Sequence, residues 1–226
     1  MTRKSFDSIW EELYGAGAQL NRYPWDVVVS FLFTNKPRGR AHSDVNILEV
    51  GCGAGSNLWF AAREGFRVAG IDGSESGIAY ARGRFEAEGL AGDLRVGDFT
   101  DLPWPDGSFD LAVDRASLTC CGRTTADYAV AELRRVLRPG GRLLFTPYSD
   151  RHPSARSGQS GEDGVRVGID AGDLVGVGQI RFYGRQDIEE LLDGWRVLAL
   201  DHVEVVSELV GALSAHAHWR VVAERQ

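Results

Sequence analysis

The sequence has few of the features that mark secreted or membrane proteins. It contains 3 cysteines in 226 residues, and Cys120 and Cys121 are adjacent, which argues against a disulfide framework. The first residues, MTRKSFDSIW, lack the apolar core of a signal peptide. The longest apolar run, WDVVVSFLF at 25–33, is too short to cross a bilayer and predicts a buried helix. We therefore expect a cytoplasmic protein without a membrane partner.

The sequence also lacks an excess of positive charge, with 25 Lys and Arg residues against 32 Asp and Glu residues. The net charge of −7 argues against a broad nucleic-acid surface, so the basic segment KPRGR at 36–40 is interpreted as a solvated loop. The sequence contains no HExxH, no spaced Cys/His set and no Ser-His-Asp signature. We expect no metal site and no nucleic-acid partner, and the composition leaves the oligomeric state open.

Short apolar runs alternate with helical patterns from residue 46 onward. The runs are VNILEV, FRVAGI, DLRV, FDLAV and GRLLFT, and strands that alternate with helices in this way predict a parallel sheet. Two further helices are predicted at 5–14 and from Pro24. After the helical segment RQDIEELLD, the runs WRVLALDHVEVV and HWRVVAE predict an antiparallel strand pair.

The segment ILEVGCGAGSN at 47–57 places three glycines and Glu49 between a buried strand and a helix. Glycines let backbone N–H groups approach a ligand closely, and the helix start favours an anionic group. The next strand ends in Asp72, whose carboxylate suits the hydroxyls of a ribose. Ser56 stands where the dinucleotide pattern G-x-G-x-x-G needs glycine, and Glu49 would repel a pyrophosphate. These residues favour a cofactor with ribose, carboxylate and ammonium groups over a nicotinamide dinucleotide.

Four segments in order carry a family resemblance: LEVGCGAGSN, GIDGS, GDFTDLPWPDGSFDLAV and LRRVLRPGGRLLF. They resemble the motifs of class I S-adenosylmethionine-dependent methyltransferases, and more narrowly the small-molecule branch called methyltransferase type 11. The match covers about residues 46–148. The resemblance implies an α/β fold with a Rossmann-like, open, mostly parallel seven-stranded sheet. Helices would lie on both faces, the C-terminal strand would be antiparallel, and a helical cap would precede the sheet.

The resemblance also implies a division of a single domain at 1–226. Residues 1–45 would form the cap, 46–148 the cofactor-binding core and 185–226 the terminal helix and strand pair. Residues 149–184 are rich in glycine and lack helical periodicity, which is typical of a lid or acceptor loop. We expect this loop to border the acceptor pocket and to be mobile without ligand.

The resemblance implies roles for individual residues. Gly51, Gly53 and Gly55 would line the methionine part of the cofactor, and Glu49 would orient its amino group. Asp72 would hold the ribose, and Asp98 with Phe99 would hold the adenine edge. Asp114 and Arg115 would face the methionine tail and the acceptor. Further cofactor contacts are expected from Cys52, Gly73, Ser74 and Gly97, and from Tyr14 and Arg22 in the cap.

The cap is also rich in aromatic residues that could close the site. Trp10, Tyr14, Tyr23 and Trp25 are candidates. Aromatic residues at helical spacing are usually core residues, and we interpret Trp10 and Trp25 in that way. Tyr14 and Arg22 are the better candidates for site contacts.

The implied reaction is methyl transfer from S-adenosylmethionine to a small-molecule acceptor, such as a hydroxyl of a sugar or secondary metabolite, with S-adenosylhomocysteine as product. A hydroxyl acceptor requires a base. His152 follows the fifth strand at the carboxyl edge, so we predict His152 as the base, with Asp114 as the second candidate. His202 and His218 lie in the last strands and are interpreted as structural. A nicotinamide-dependent oxidoreductase and a non-catalytic cofactor-binding module remain alternatives.

Overall fold

The alternating apolar runs form one open sheet in the computed structural model, which describes residues 6–208 and 216–226. Residues 1–5 of the predicted cap and 209–215 of the terminal segment lie outside this description. The first strands are β1 (Asn46–Val50), β2 (Arg67–Asp72), β3 (Asp93–Val96), β4 (Phe109–Asp114) and β5 (Leu137–Phe145). A short ribbon follows, β6 (Gln159–Ser160) and β7 (Arg166–Val167), and then β8 (Trp195–Val205) and β9 (His216–Arg225).

The seven-stranded sheet has the order β3-β2-β1-β4-β5-β9-β8. Strands β1 to β5 are parallel, and β9 is antiparallel to both of its neighbours, β5 and β8. The strand order reverses between β1 and β4, which is where open α/β sheets bind their ligands. The predicted fold class is confirmed, including the antiparallel C-terminal strand.

Helices cover both faces of the sheet because side chains along each strand point alternately to the two sides. In β1, Ile47 packs with residues of the helices on one face, and Leu48 packs with residues of the helices on the other. The first face carries α2 (Asp26–Asn35), α3 (Ser56–Arg63) and α4 (Glu75–Ala87). The second carries α5 (Arg123–Val136) and α6 (Arg185–Leu191), and α1 (Ile9–Gly15) contacts α4.

Residues 149–184, here called the insert, contain more structure than the sequence predicts. The ribbon β6–β7 and two 3₁₀ turns at Pro153–Arg156 and Glu162–Gly164 lie within it. Ile169, Leu174 and Ile180 form a small buried cluster. The amide of Arg181 donates to Thr119 O at 2.6 Å, and the amide of Tyr183 donates to Tyr148 O at 2.9 Å. These bonds fasten the end of the insert to the carboxyl edge of the sheet.

None of the described helices is both long and apolar enough to span a membrane.

Amide hydrogen exchange should divide the insert into a fixed part and a mobile part. Ile180 and Arg181 are buried and donate to backbone carbonyls, so their exchange should be slow in the ligand-free protein. Residues 170–178 make no backbone–backbone hydrogen bond to described residues outside the segment; they form a turn at 173–176, and the amide of Ala171 donates to the Ser157 hydroxyl at 3.3 Å. We expect faster exchange there. Mass spectrometry of peptides from exchanged protein measures both. Uniformly slow exchange across the insert would contradict its predicted mobility.

Candidate functional site

Two adjoining cavities lie at the carboxyl ends of β1, β2 and β4. The larger has a volume of about 530 Å³ and reaches from Glu49 to the insert. The smaller, of about 110 Å³, reaches Asp72 and Phe99. Six residues line both and join them into one cleft: Trp10, Tyr14, Gly51, Arg115, Ala116 and Cys120. The cleft therefore lies where the strand order predicts a ligand site.

The backbones of the three glycines after β1 lie close to three different neighbours. Gly51 lines both cavities, and a Cβ atom there would lie 2.1 Å from the side chain of Ser117. A Cβ atom at Gly53 would lie 2.1 Å from the Tyr14 hydroxyl, and one at Gly55 would lie 2.9 Å from Ala81. Gly53 and Gly55 line neither cavity, which differs from the prediction. Their backbones make room for the cap and for packing of α3 on α4, and they also have positive φ angles.

Glu49 is a buried carboxylate with one oxygen that lacks a partner. Its Oε1 accepts a hydrogen bond from Asn57 Nδ2 at 2.6 Å, whereas Oε2 has no hydrogen-bond partner among the described residues. Burial raises the pKa of Glu49 to about 8, and the Asp114 carboxylate adds to the effect. Because Glu49 lines the larger cavity, a cationic ligand group there would supply the missing partner.

Asp72 connects the turns that follow β1 and β2. Its Oδ2 accepts from the amide of Gly53 at 2.8 Å, and Oδ1 accepts from the amide of Ser74 at 2.8 Å. Burial raises the pKa of Asp72, and the two amide hydrogen bonds oppose that effect. A carboxylate has about four acceptor positions, so Asp72 can still accept from ligand hydroxyls in the smaller cavity.

Other predicted contacts near β2 and β3 divide into two groups. Phe99 and Gly73 line the smaller cavity, and Cys52 lines the larger one. Asp98 and Gly97 line neither cavity. Asp98 Oδ1 accepts from the amide of Thr100 at 2.8 Å, and the amide of Gly97 donates to Asp72 O at 2.9 Å.

Asp114 is completely buried and lines neither cavity, so it does not face the acceptor as predicted. Its Oδ1 accepts from the amides of Ser117 at 3.1 Å and Leu118 at 2.9 Å and from the Ser117 hydroxyl. These bonds shape the turn after β4, in which Ala116 has a φ of 59°. Burial raises the pKa of Asp114 to about 6. Arg115 does line both cavities, and its guanidinium lies 3.8 Å from the centre of the Trp25 ring.

The cap covers the cleft through α1. Both carboxylate oxygens of Glu11 accept hydrogen bonds at the start of α4, from the hydroxyls of Ser74 and Ser76, each at 2.5 Å. Ser74 is thus a support for the cap and for α4 and does not line either cavity.

The cap residues that reach the cleft are partly unexpected. Tyr14 and Trp10 line both cavities, and Trp25 lines the larger one, so the interpretation of both tryptophans as core residues is not supported. Arg22 is exposed, lies against the ring of Tyr23 and lines neither cavity.

His152, the predicted base at the carboxyl edge of the sheet, does not line the cleft. The His152 side chain is 0% exposed and lines neither cavity. Its Nε2 lies 3.1 Å from Asp173 Oδ1 and 3.2 Å from His216 Nδ1. Asp173 and His216 do line the larger cavity, together with Tyr148. His216 begins β9, which runs antiparallel beside β5. A strand that pairs antiparallel with β5 begins near the carboxyl end of β5. The position of His216 just before the predicted last strand is therefore the feature of the sequence that could have identified it.

Comparisons with known proteins bear on the kind of domain and on the fold. Residues 47–141 match the family model described as a methyltransferase domain. A fatty-acid O-methyltransferase from Mycolicibacterium smegmatis is 36% identical over 137 residues, which are 59% of this chain and 46% of that protein. A malonyl-[acyl-carrier protein] O-methyltransferase from Yersinia pestis is 30% identical over 139 residues, which are 62% of this chain and 47% of that protein. The chain thus spans about half the length of these curated relatives.

A solved S-adenosylmethionine-dependent methyltransferase from Methanosarcina mazei has the same fold. The TM-score is 0.71 at 19% identity, over 90% of this chain and 98% of that one. Residues 47–141 therefore match a methyltransferase domain, and the chain has the fold of a solved S-adenosylmethionine-dependent methyltransferase. The methyltransferase relatives weigh against the nicotinamide-dependent alternative. S-adenosylmethionine is the cofactor that this domain and fold imply.

The residues of the cleft fit this cofactor. The unpartnered Glu49 Oε2 suits its ammonium group, and Asp72 in the smaller cavity suits its ribose hydroxyls. Phe99 and Phe6 line the smaller cavity with flat apolar surfaces suited to an adenine ring. When bound, S-adenosylmethionine supplies an electrophilic methyl group. The chain's own residues bind it, orient it and exclude water from it.

Glu49→Gln should weaken binding of S-adenosylhomocysteine and remove its dependence on pH. An ammonium beside Glu49 favours the ionised carboxylate, so binding near pH 7 should release a proton from a group whose pKa is about 8. Affinity of the unaltered protein should therefore rise as the pH approaches that value. Isothermal titration calorimetry in buffers of different ionisation enthalpy measures the proton release. Equal proton release by the variant would contradict the assignment of Glu49.

Asp72→Ala should lower the affinity for S-adenosylhomocysteine by roughly tenfold or more. Hydrogen bonds to a charged group are worth about 1.5–3 kcal/mol, and the variant also loses the anchor of the Gly53 amide. Calorimetry gives the affinity, and circular dichroism checks the fold. Asp93→Ala is a control, since Asp93 is partly exposed at the start of β3 and lines neither cavity. Normal affinity in a folded Asp72→Ala protein would rule out the ribose contact.

Proposed function

We propose that the domain transfers the methyl group of S-adenosylmethionine to an oxygen atom of a small molecule. The observation that carries this proposal is the extent of the larger cavity. One end of it is lined by Glu49 and Gly51, and the other by residues of the insert. A cofactor held at the first end leaves space for an acceptor at the second.

The acceptor end has the character of a small-molecule pocket. Leu174, Val177 and Ile180 from the insert and the aromatic rings of Trp25 and Tyr148 form its apolar surface. The total volume of about 530 Å³ lies within the usual range of ligand pockets. Apolar walls exclude water, and the main requirement for methyl transfer is to hold nucleophile and methyl group about 3–3.5 Å apart. The negative net charge of the chain argues against a nucleic-acid acceptor.

The names of two relatives support oxygen as the acceptor atom. Both the relative from Mycolicibacterium smegmatis and that from Yersinia pestis are O-methyltransferases. A hydroxyl of a sugar or secondary metabolite remains the proposed acceptor. For a hydroxyl, the predicted bases His152 and Asp114 share one difficulty, because both are buried and line neither cavity. They would act only through another group.

Transfer can be tested with S-adenosylmethionine that carries an isotopically labelled methyl group. The protein is incubated with fractionated small-molecule extracts, and mass spectrometry follows the label. We expect a labelled product with the unaltered protein and with Glu189→Gln, which changes only an exposed ion pair on α6. Glu49→Gln should form much less product. Binding of S-adenosylhomocysteine without transfer of label to any fraction would instead favour the non-catalytic cofactor-binding module.

A further inference from the structure

Three side chains from distant parts of the chain meet at the acceptor end of the larger cavity. Asp173 Oδ1 lies 3.1 Å from His152 Nε2, and Asp173 Oδ2 lies 3.1 Å from His216 Nδ1. Asp173 and His216 line the cavity, whereas His152 lies behind them and is 0% exposed. No motif of the sequence and no cofactor contact accounts for this cluster.

The hydrogen bond from Ser154 fixes the position of the proton on His152. The amide of Ser154 donates to His152 Nδ1 at 3.1 Å, so Nδ1 carries a lone pair. Burial lowers the pKa of His152 to about 4, and the ring is therefore neutral at pH 7. A neutral ring with a lone pair on Nδ1 carries its proton on Nε2. This N–H donates to Asp173 Oδ1.

The same reasoning places the proton of His216. Its Nδ1 lies 3.1 Å from Asp173 Oδ2 and 3.2 Å from His152 Nε2. A carboxylate only accepts hydrogen bonds, so we place the proton on Nδ1, and both histidine N–H groups are then directed at Asp173 rather than at each other. Whenever this ring is neutral, its lone pair is then on Nε2. Among the described residues, Nε2 of His216 has no hydrogen-bond partner, and the side chain is 27% exposed. An imidazole that is held by a carboxylate through one nitrogen, in a residue that lines a cavity, is the arrangement of a general base with its orienting group.

We propose that His216 is the general base of the acceptor site, oriented by Asp173, and that the acceptor is a hydroxyl compound. His152 is a positioning residue, because its N–H holds Asp173 in place. The inference rests on the proposed methyl transfer. In that step the acceptor O–H bond breaks and its proton moves to His216 Nε2. The acceptor oxygen forms a bond to the methyl carbon of S-adenosylmethionine, and the electrons of the methyl–sulfur bond remain on sulfur. The products are a methyl ether and S-adenosylhomocysteine, and His216 returns its proton to solvent.

An oriented general base indicates which class of oxygen acceptor the site would methylate. Carboxylic acids have pKa values near 4, so they are already ionised at neutral pH and need no base. A phenol has a pKa near 10 and an alcohol a higher one, and both must lose a proton during transfer. The guanidinium of Arg115 lines the same cavity and favours the negative charge that develops on the acceptor oxygen.

The cluster also resembles a metal site in its spacing, but its hydrogen bonds do not suit one. One donor atom from each of His152, Asp173 and His216 lies within 4.8 Å of the others. A histidine that binds a metal through Nε2 carries its proton on Nδ1 and donates it to an acceptor. At His152 that proton would face the N–H of Ser154. The geometry therefore favours a hydrogen-bonded arrangement.

The proton positions can be tested without an acceptor. Long-range ¹H–¹⁵N spectra of protein labelled in its histidines distinguish the two neutral ring forms, and His152→Gln and His216→Gln assign the signals. We expect the proton on Nδ1 of His216 and on Nε2 of His152. Asp173→Asn should change the ring form of His216, whereas Asp170→Asn, an exposed aspartate of the same insert, should not. A proton on Nε2 of His216 in the unaltered protein would overturn the proposal. So would a shift of both histidine signals on addition of stoichiometric Zn²⁺.

Turnover tests the role itself, with simple phenols and medium-chain fatty acids as probes and labelled S-adenosylmethionine as donor. We expect transfer to phenols and a loss of about 10²-fold or more in kcat for His216→Gln. Asp173→Asn should lose a similar amount, and His152→Gln less. Binding of S-adenosylhomocysteine should be unchanged in all three, and Asp170→Asn should retain full activity.

The outcomes separate the two proposals. Transfer to fatty acids alone, with no loss in His216→Gln, would overturn the role of His216 and leave methyl transfer standing. A greater loss in His152→Gln than in His216→Gln would also overturn it and favour His152 as the base. Cofactor binding without transfer of label to either probe class or to any fraction of the extracts would contradict both proposals.

Discussion

The cofactor cleft depends on one buried carboxylate, that of Asp72. Its two oxygens accept the amides of Gly53 and Ser74, and so hold together the turns that follow β1 and β2. Ser74 in turn begins α4 and donates to Glu11, which fixes α1 over the cleft. A buried charge is costly unless it is hydrogen-bonded. Because the buried Asp72 carboxylate needs these two hydrogen bonds, it determines the shape of both turns and, through Ser74, the position of the cap.

Three carboxylates, Glu49, Asp72 and Asp114, are buried at the ends of adjacent strands, and each has its pKa raised by burial. They differ in the hydrogen-bond partners of their oxygen atoms. Asp72 has both oxygens hydrogen-bonded, whereas Glu49 Oε2 and Asp114 Oδ2 are buried and have no hydrogen-bond partner among the described residues. Of the two unpartnered oxygens, only that of Glu49 belongs to a residue that lines a cavity, so Glu49 is the carboxyl group that a ligand charge can reach.

The sequence predicts the fold well, and it places several expected cofactor residues beside the observed cleft, because both signals are local. Strand and helix patterns alternate, and Glu49, Gly51 and Asp72 each stand beside a strand end that can be read directly. The acceptor half was predicted poorly. His152 had a suitable position along the chain, but its burial depends on packing against the insert, which has no periodic pattern. Asp173 lies in an irregular segment, and His216 reaches the site only because β9 inserts beside β5. Trp10 lines the cleft because the contact of Glu11 with α4 sets the orientation of α1. Arg22 follows α1 in an irregular segment, where it is exposed.

The insertion of β9 between β5 and β8 has a consequence for biosynthesis. The strands β1 to β5 and the turns after them carry Glu49, Asp72 and Phe99, the core residues that fit the cofactor, and they precede the insert along the chain. His216 arrives later and must enter the sheet between two strands that have already left the ribosome. The nascent chain can therefore acquire a cofactor-binding surface before it has an acceptor pocket. A nascent chain that does not yet contain β9 would expose the unpaired edge of β5. Unpaired strand edges bind other chains, so a chaperone or a misfolding partner would bind at this edge.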